Sequence, residues 1–150
     1  ASSPVFNVFL ASQCKMAVRG FLSTDITVKD LIEQRGDVHH IFPRQYLKDN
    51  GFSRGQYNQV ANYSYVQSEI NIKIGKKAPS DYLSYVVNQQ CNSEECKYGG
   101  ITNIADLHKN MAENCIPMGT PEMTLANYSD FLSQRRALIA KRLKEYYFSL

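Results

Sequence analysis

The chain has 150 residues, 43% of them hydrophobic and 21% charged, the proportions of a globular domain that can bury its own core. No apolar run approaches the ~18 residues of a membrane span, which excludes a membrane-crossing helix. A formal net charge of +3 is too small to select a partner, but its distribution is uneven. Residues 41–77 carry Arg44, Lys48, Arg54, Lys73, Lys76 and Lys77 against only Asp49 and Glu69, residues 78–128 are net acidic, and the tail after residue 128 is basic again. A basic stretch in a nearly neutral domain suits a phosphate backbone; on charge alone, a solvated charged face is the plainer reading.

Ala1–Leu10 has no basic segment ahead of its apolar residues, so it does not read as a signal peptide. It reads as the start of a piece cut from a longer chain. Ser3-Pro4 sets an N-cap and a first-turn proline for a helix whose apolar residues fall on all sides, which predicts a buried helix ending near Gly20. Thr27-Val-Lys-Asp30 has the spacing of a capping box and opens a second helix to about Arg35, stopped by Gly36. Asp37–Phe42 holds β-branched Val38 and Ile41 ahead of Pro43 and predicts a short strand into a turn. Arg44–Asn50 reads as a short helix closed by Gly51.

Asn62–Gln67 alternates and predicts a second strand. Ser68 caps a short helix with Asn71 at its third position. Pro79 opens another helix to about Gln90, Cys91–Gly100 is a loop, and Ile101–Asn114 carries Ile101, Ile104, Leu107 and Met111 at helical spacing. Pro117–Pro121 breaks that helix. The final helix opens at Asn127-Tyr-Ser-Asp130, with Leu132, Ile139, Leu143 and Tyr146 on one face and Arg135, Arg136, Lys141 and Lys144 on a solvated basic face. The fold class is therefore α+β, mostly helical, with one small two-stranded element, in a single domain over residues 1–150.

Four cysteines are present: Cys14, Cys91, Cys96 and Cys115. Cys91 and Cys96 have a tolerable zinc spacing, but no second close pair follows. Free thiols in a cytoplasmic protein are the expectation. His108 sits on a helical face beside Leu107 and is read as structural or exposed.

The chemistry concentrates in Asp37-Val38-His39-His40-Ile41-Phe42-Pro43, where two of the three histidines are adjacent. Asn62 and Asn71 follow in Val60-Ala61-Asn62-Tyr63 and Glu69-Ile70-Asn71-Ile72-Lys73. A histidine on the first of two strands and an asparagine on the following helix are laid out as in a ββα-metal nuclease. The run Asp37–Pro43 with Tyr46-Leu47-Lys48 resembles the Asp-Val-Asp-His-Ile-Val-Pro segment in the HNH endonuclease domain of RNA-guided nucleases.

Over residues 4–150 the chain resembles more closely the C-terminal domain of GmrSD-type modification-dependent restriction proteins. The likeness is carried by His40-Ile41-Phe42-Pro43, Pro79-Ser80-Asp81-Tyr82-Leu83 and Asn127-Tyr128-Ser129-Asp130-Phe131-Leu132-Ser133-Gln134-Arg135-Arg136. This resemblance implies an HNH ββα-metal motif within a helical domain that hydrolyses DNA phosphodiester bonds as the cutting module of a restriction or phage-defence protein. A nucleotide-hydrolysing domain would lie upstream in the full-length protein, in the cytoplasm. His40 would be the general base, since imidazole titrates near neutral pH, and Asn62 would hold the loop and orient it. His39 and Asn71 would ligate one divalent ion, and Arg44, Lys73, Lys76 and Lys77 would contact DNA phosphates. Position 39 departs from the nucleases with aspartate there; a histidine ligand softens the site and widens the choice from Mg2+ to Mn2+, Ni2+ or Zn2+, or His39 instead contacts phosphate. The same chemistry serves RNA. The rival is a catalytically silent nucleic-acid- or protein-binding module with the same fold.

Overall fold

The computed structural model describes residues 3–34, 36, 38–89 and 96–150. It is mostly helical with one small antiparallel sheet. The order is α1 (Pro4–Lys15), α2 (Val28–Glu33), β1 (Val38–His40), α3 (Arg44–Asp49), α4 (Arg54–Tyr57), β2 (Tyr63–Tyr65), α5 (Ser68–Ile74), α6 (Pro79–Asn88), α7 (Ile104–Glu113) and α8 (Tyr128–Ser149). None of these helices is long and apolar enough to cross a membrane.

Helix α1 starts as its sequence predicts, with Ser3 accepting from the Phe6 amide and Pro4 in the first turn. Two expectations for it fail. Its side chains are not buried all round, since Val5 and Val8 are exposed while Phe6 and Phe9 face the core. It also stops at Lys15, well before Gly20, because the chain turns at Ala17 (φ 53°) and residues 19–21 are held in bridges to Thr27 and Val66. Helix α2 has the full capping box: Thr27 Oγ1 accepts from the Asp30 amide and Asp30 from the Thr27 amide. Its expected end at Arg35 lies outside the described residues.

The two strands pair antiparallel, with His39 opposite Ser64 and His40 opposite Tyr63. Asn62, expected on β2, closes the 3-10 turn Val60–Asn62 just before it. The N-cap of α5 is Gln67 rather than Ser68, which puts Asn71 one position later than expected. Helix α7 begins at Ile104, not Ile101, because Asn103 accepts from the Asp106 amide and supplies the cap. The short α4 carries no apolar periodicity that would mark it in the sequence. The end of α6 expected at Gln90 also lies outside the described residues.

The main core gathers Phe21, Leu22, Phe42, Leu47, Tyr82, Leu83, Leu107 and Phe131, all at or near zero exposure. Phe42 stacks against Tyr128 and Phe131 of α8 at ring distances of 5.1 and 4.9 Å. Through that stack the last helix anchors the turn that follows β1. A second, smaller cluster joins α1 to α8 through Phe6, Phe9 and Ile139.

Helix α8 differs from its sequence reading in one residue. Arg136, Lys141 and Lys144 are exposed as expected, but Arg135 is 1% exposed and points inward. The thiol expectation is also corrected. Cys14 and Cys115 are free, whereas Cys96 is disulfide-bonded, which removes it as a free zinc ligand. Cys91 lies outside the described residues.

Candidate functional site

The site is assembled from β1, the turn after it and the middle of α5. His39, His40, Arg44 and Asn71 all border one open cavity of about 460 Å³, with Val38, Pro43, Gln45 and Gly75 also in its walls. Neighbours on a strand ordinarily face opposite ways, yet His39 and His40, the last two residues of β1, both line this cavity. Gly75 (φ 57°, ψ −122°) stops α5 in a conformation that a side chain would strain, and so shapes the cavity's edge. Asn62 does not border the cavity. Lys73, Lys76 and Lys77 do not border it either; they are exposed on the end of α5 and the segment after it, where Lys77 Nζ caps the Lys73 carbonyl at 3.1 Å. His108 is exposed on α7, away from this cavity.

His40 is half-buried, with Tyr63 and Tyr57 edge-on at ring distances of 5.2 and 6.3 Å. Its Nε2 lies 2.9 Å from Asn58 Oδ1. A carbonyl oxygen only accepts, so Nε2 carries the proton and the lone pair is left on Nδ1. Burial pushes the His40 pKa down, the Asn58 bond opposes that shift, and the Arg44 guanidinium adds to it. The neutral ring needed by a base is thereby favoured.

Because the folded-state pKa is lowered, the unfolded chain binds more protons near the ordinary value, so this contribution to stability is present above it and is lost as pH falls. In metal-free protein, a two-dimensional NMR titration of the imidazole should give a midpoint below the unperturbed 6.5. A midpoint at or above that value would contradict the burial argument.

Asn62 is fully buried behind the cavity and works on main chain alone. Its Oδ1 accepts from the Phe42 amide at 2.8 Å, while its Nδ2 donates to the Phe42 carbonyl at 3.0 Å and the Tyr57 carbonyl at 3.3 Å. Its own carbonyl accepts from the Ile41 amide at 2.9 Å. Asn62 therefore staples both ends of the loop between β1 and β2, and the side chain that bonds His40 directly is Asn58, at one of those ends. Tyr82, from the Pro-Ser-x-Tyr-Leu segment on α6, donates to the Ile41 carbonyl at 2.6 Å. Burial pushes its phenol well above the ordinary range, so it remains a donor.

Nothing in the sequence singles out Asn58. It lies 18 residues from His40 in a polar stretch without periodicity, and asparagine is common in turns for reasons unrelated to chemistry. Tyr82 sits in a motif noted for its resemblance, but nothing in the motif shows that its hydroxyl reaches the strand.

The candidate metal donors lining this cavity are the His39 imidazole and the Asn71 amide oxygen. Among the described residues no group of three His, Cys, Asp or Glu side chains converges. Two such donors suit an ion that keeps several positions for water and phosphate oxygens.

Comparison with known proteins adds one relative. An uncharacterized protein of Methanocaldococcus jannaschii is 25% identical over 116 residues, covering 71% of this chain. The chain spans only 20% of that relative's length. No family model matches, and no solved structure matches.

Proposed function

We propose that this chain is an HNH-type, metal-dependent endonuclease module that hydrolyses phosphodiester bonds of double-stranded DNA. The observation that carries the reading is the meeting of His40, hydrogen-bonded through Nε2 to Asn58, with His39, Asn71 and Arg44 around one open, polar cavity. Three roles in phosphodiester hydrolysis need filling: a base for water, charge stabilisation at phosphorus and help for the departing oxygen.

His40 takes the water proton on Nδ1 while Asn58 keeps Nε2 protonated and the ring in place. Arg44, an exposed guanidinium on the cavity wall, binds a phosphate oxygen. His39 and Asn71 hold a divalent ion, which supplies Lewis-acid stabilisation when bound. Lys73, Lys76 and Lys77 extend a cationic track beyond the cavity and contact neighbouring phosphates without reading bases. In the full-length protein, a nucleotide-hydrolysing domain upstream governs target choice, as the resemblance to GmrSD-type proteins implies.

Calorimetry with Mn2+ tests the metal half of this reading. Metal-free wild type should bind one ion. His39→Ala and Asn71→Ala should each weaken binding at least on the order of tenfold, the loss that removal of even an outer partner brings. Binding should also weaken below about pH 6, where imidazole protonates. Equal affinity in His39→Ala would remove His39 from the ligand set and leave it as a phosphate contact.

A further inference from the structure

Helix α8 buries a cation. Arg135 is 1% exposed, and among the described residues no carboxylate forms an ion pair with it. An unpaired buried charge is costly to a fold, and a methionine or leucine would fill the same space more cheaply. The guanidinium is instead spent on main chain. Nη1 donates to the carbonyls of Ala61, at 3.0 Å, and Tyr63, at 2.5 Å, and Nη2 to Asn114, at 3.2 Å. The Phe9 ring lies 5.7 Å from the guanidinium carbon and covers it.

The first two carbonyls flank Asn62, the residue that staples the Phe42 and Tyr57 ends of the loop carrying His40 and Asn58. We propose that Arg135 is a positioning residue for the His40–Asn58 pair, fixing the backbone on both sides of Asn62 and thereby the base of the active site. The inference rests on the nuclease reading for its functional consequence but not for its geometry. Arginine suits the task because one planar fork reaches three carbonyls, which a lysine ammonium on a flexible stem does not reproduce. Burial pulls its pKa down only to about 10, so the fork is still charged at neutral pH. The role is hidden in the sequence because helical periodicity groups Arg135 with Arg136 as surface cations.

The test compares wild type with Arg135→Lys, Arg135→Gln and Arg135→Met as full chains, using amide hydrogen exchange and plasmid nicking. The Ile41 amide bonds the Asn62 carbonyl and the Phe42 amide bonds its side chain; the Leu107 amide, bonded to Asn103 in α7, serves as the remote control. Exchange at Ile41 and Phe42 should rise more than tenfold in Arg135→Met and Arg135→Gln with Leu107 unchanged, and Arg135→Lys should lie between. For nicking, kcat should fall more than tenfold while KM stays within twofold, with partial rescue by lysine. Equal acceleration at all three amides, or an unchanged kcat per folded molecule, would overturn the positioning role and leave Arg135 as a general stabiliser. If Arg135→Met does not fold, the lysine and glutamine variants decide. If wild type does not nick DNA, the nuclease reading fails, and selective exchange alone decides whether Arg135 positions the pair.

Discussion

His40→Ala is expected to lower the rate of metal-dependent plasmid nicking by about 10²–10⁴-fold, the usual contribution of a positioned general base, with the fold intact. The size follows from what the ring is set up to do. It is half-buried between Tyr57 and Tyr63, its tautomer is fixed by Asn58, and its neutral form is favoured by burial and by Arg44. The fold should survive because the ring's one hydrogen-bond partner among these contacts, Asn58, belongs to a loop held by Asn62 rather than by His40. Single-turnover nicking beside a circular dichroism melt checks both halves. An unchanged rate would remove His40 from the chemistry.

Asn62→Ala should instead act on stability first, by about 2–3 kcal/mol. It leaves the Phe42 amide and carbonyl and the Tyr57 carbonyl without the side chain that satisfies them, and each buried group left unpaired costs ~1–3 kcal/mol, reduced where water or relaxation reaches it. That is a large share of the ~5–15 kcal/mol of a typical domain. Urea unfolding gives the value directly. A loss below about 0.5 kcal/mol, the range of an ordinary surface substitution, would mean that Asn62 is not the staple described above. The two variants therefore separate chemistry from scaffolding within one loop: one loses rate with little stability, the other loses stability and with it the geometry of the base.

The site was legible where local rules dictate structure. A β-branched pair ahead of Pro43 predicts β1, the Thr27–Asp30 spacing predicts the cap of α2, and the histidine pair marks the place where a cavity forms. What stayed hidden is long-range. Arg135 is 74 residues from the Ala61 carbonyl it holds, and no periodicity separates an inward arginine from an outward one. Asn58 and Tyr82 each act through one hydrogen bond whose existence depends on how the loop and α6 pack. The end of α1 is hidden for a related reason: the chain takes a left-handed turn at Ala17 and then enters bridges at Arg19 and Phe21 to residues distant in sequence. The disulfide at Cys96 was likewise beyond spacing alone, which fits metal binding and cross-linking equally well.

Cleavage of supercoiled plasmid by the wild-type chain tests the central claim most directly, with Mg2+, Mn2+ or Ni2+ supplied separately and an excess of chelator as control. Metal-dependent conversion to nicked or linear DNA, abolished by chelator and by His40→Ala, is the predicted result. No cleavage with any of the ions, from a folded chain that still binds duplex DNA, would contradict the nuclease reading and leave a silent binding module in its place.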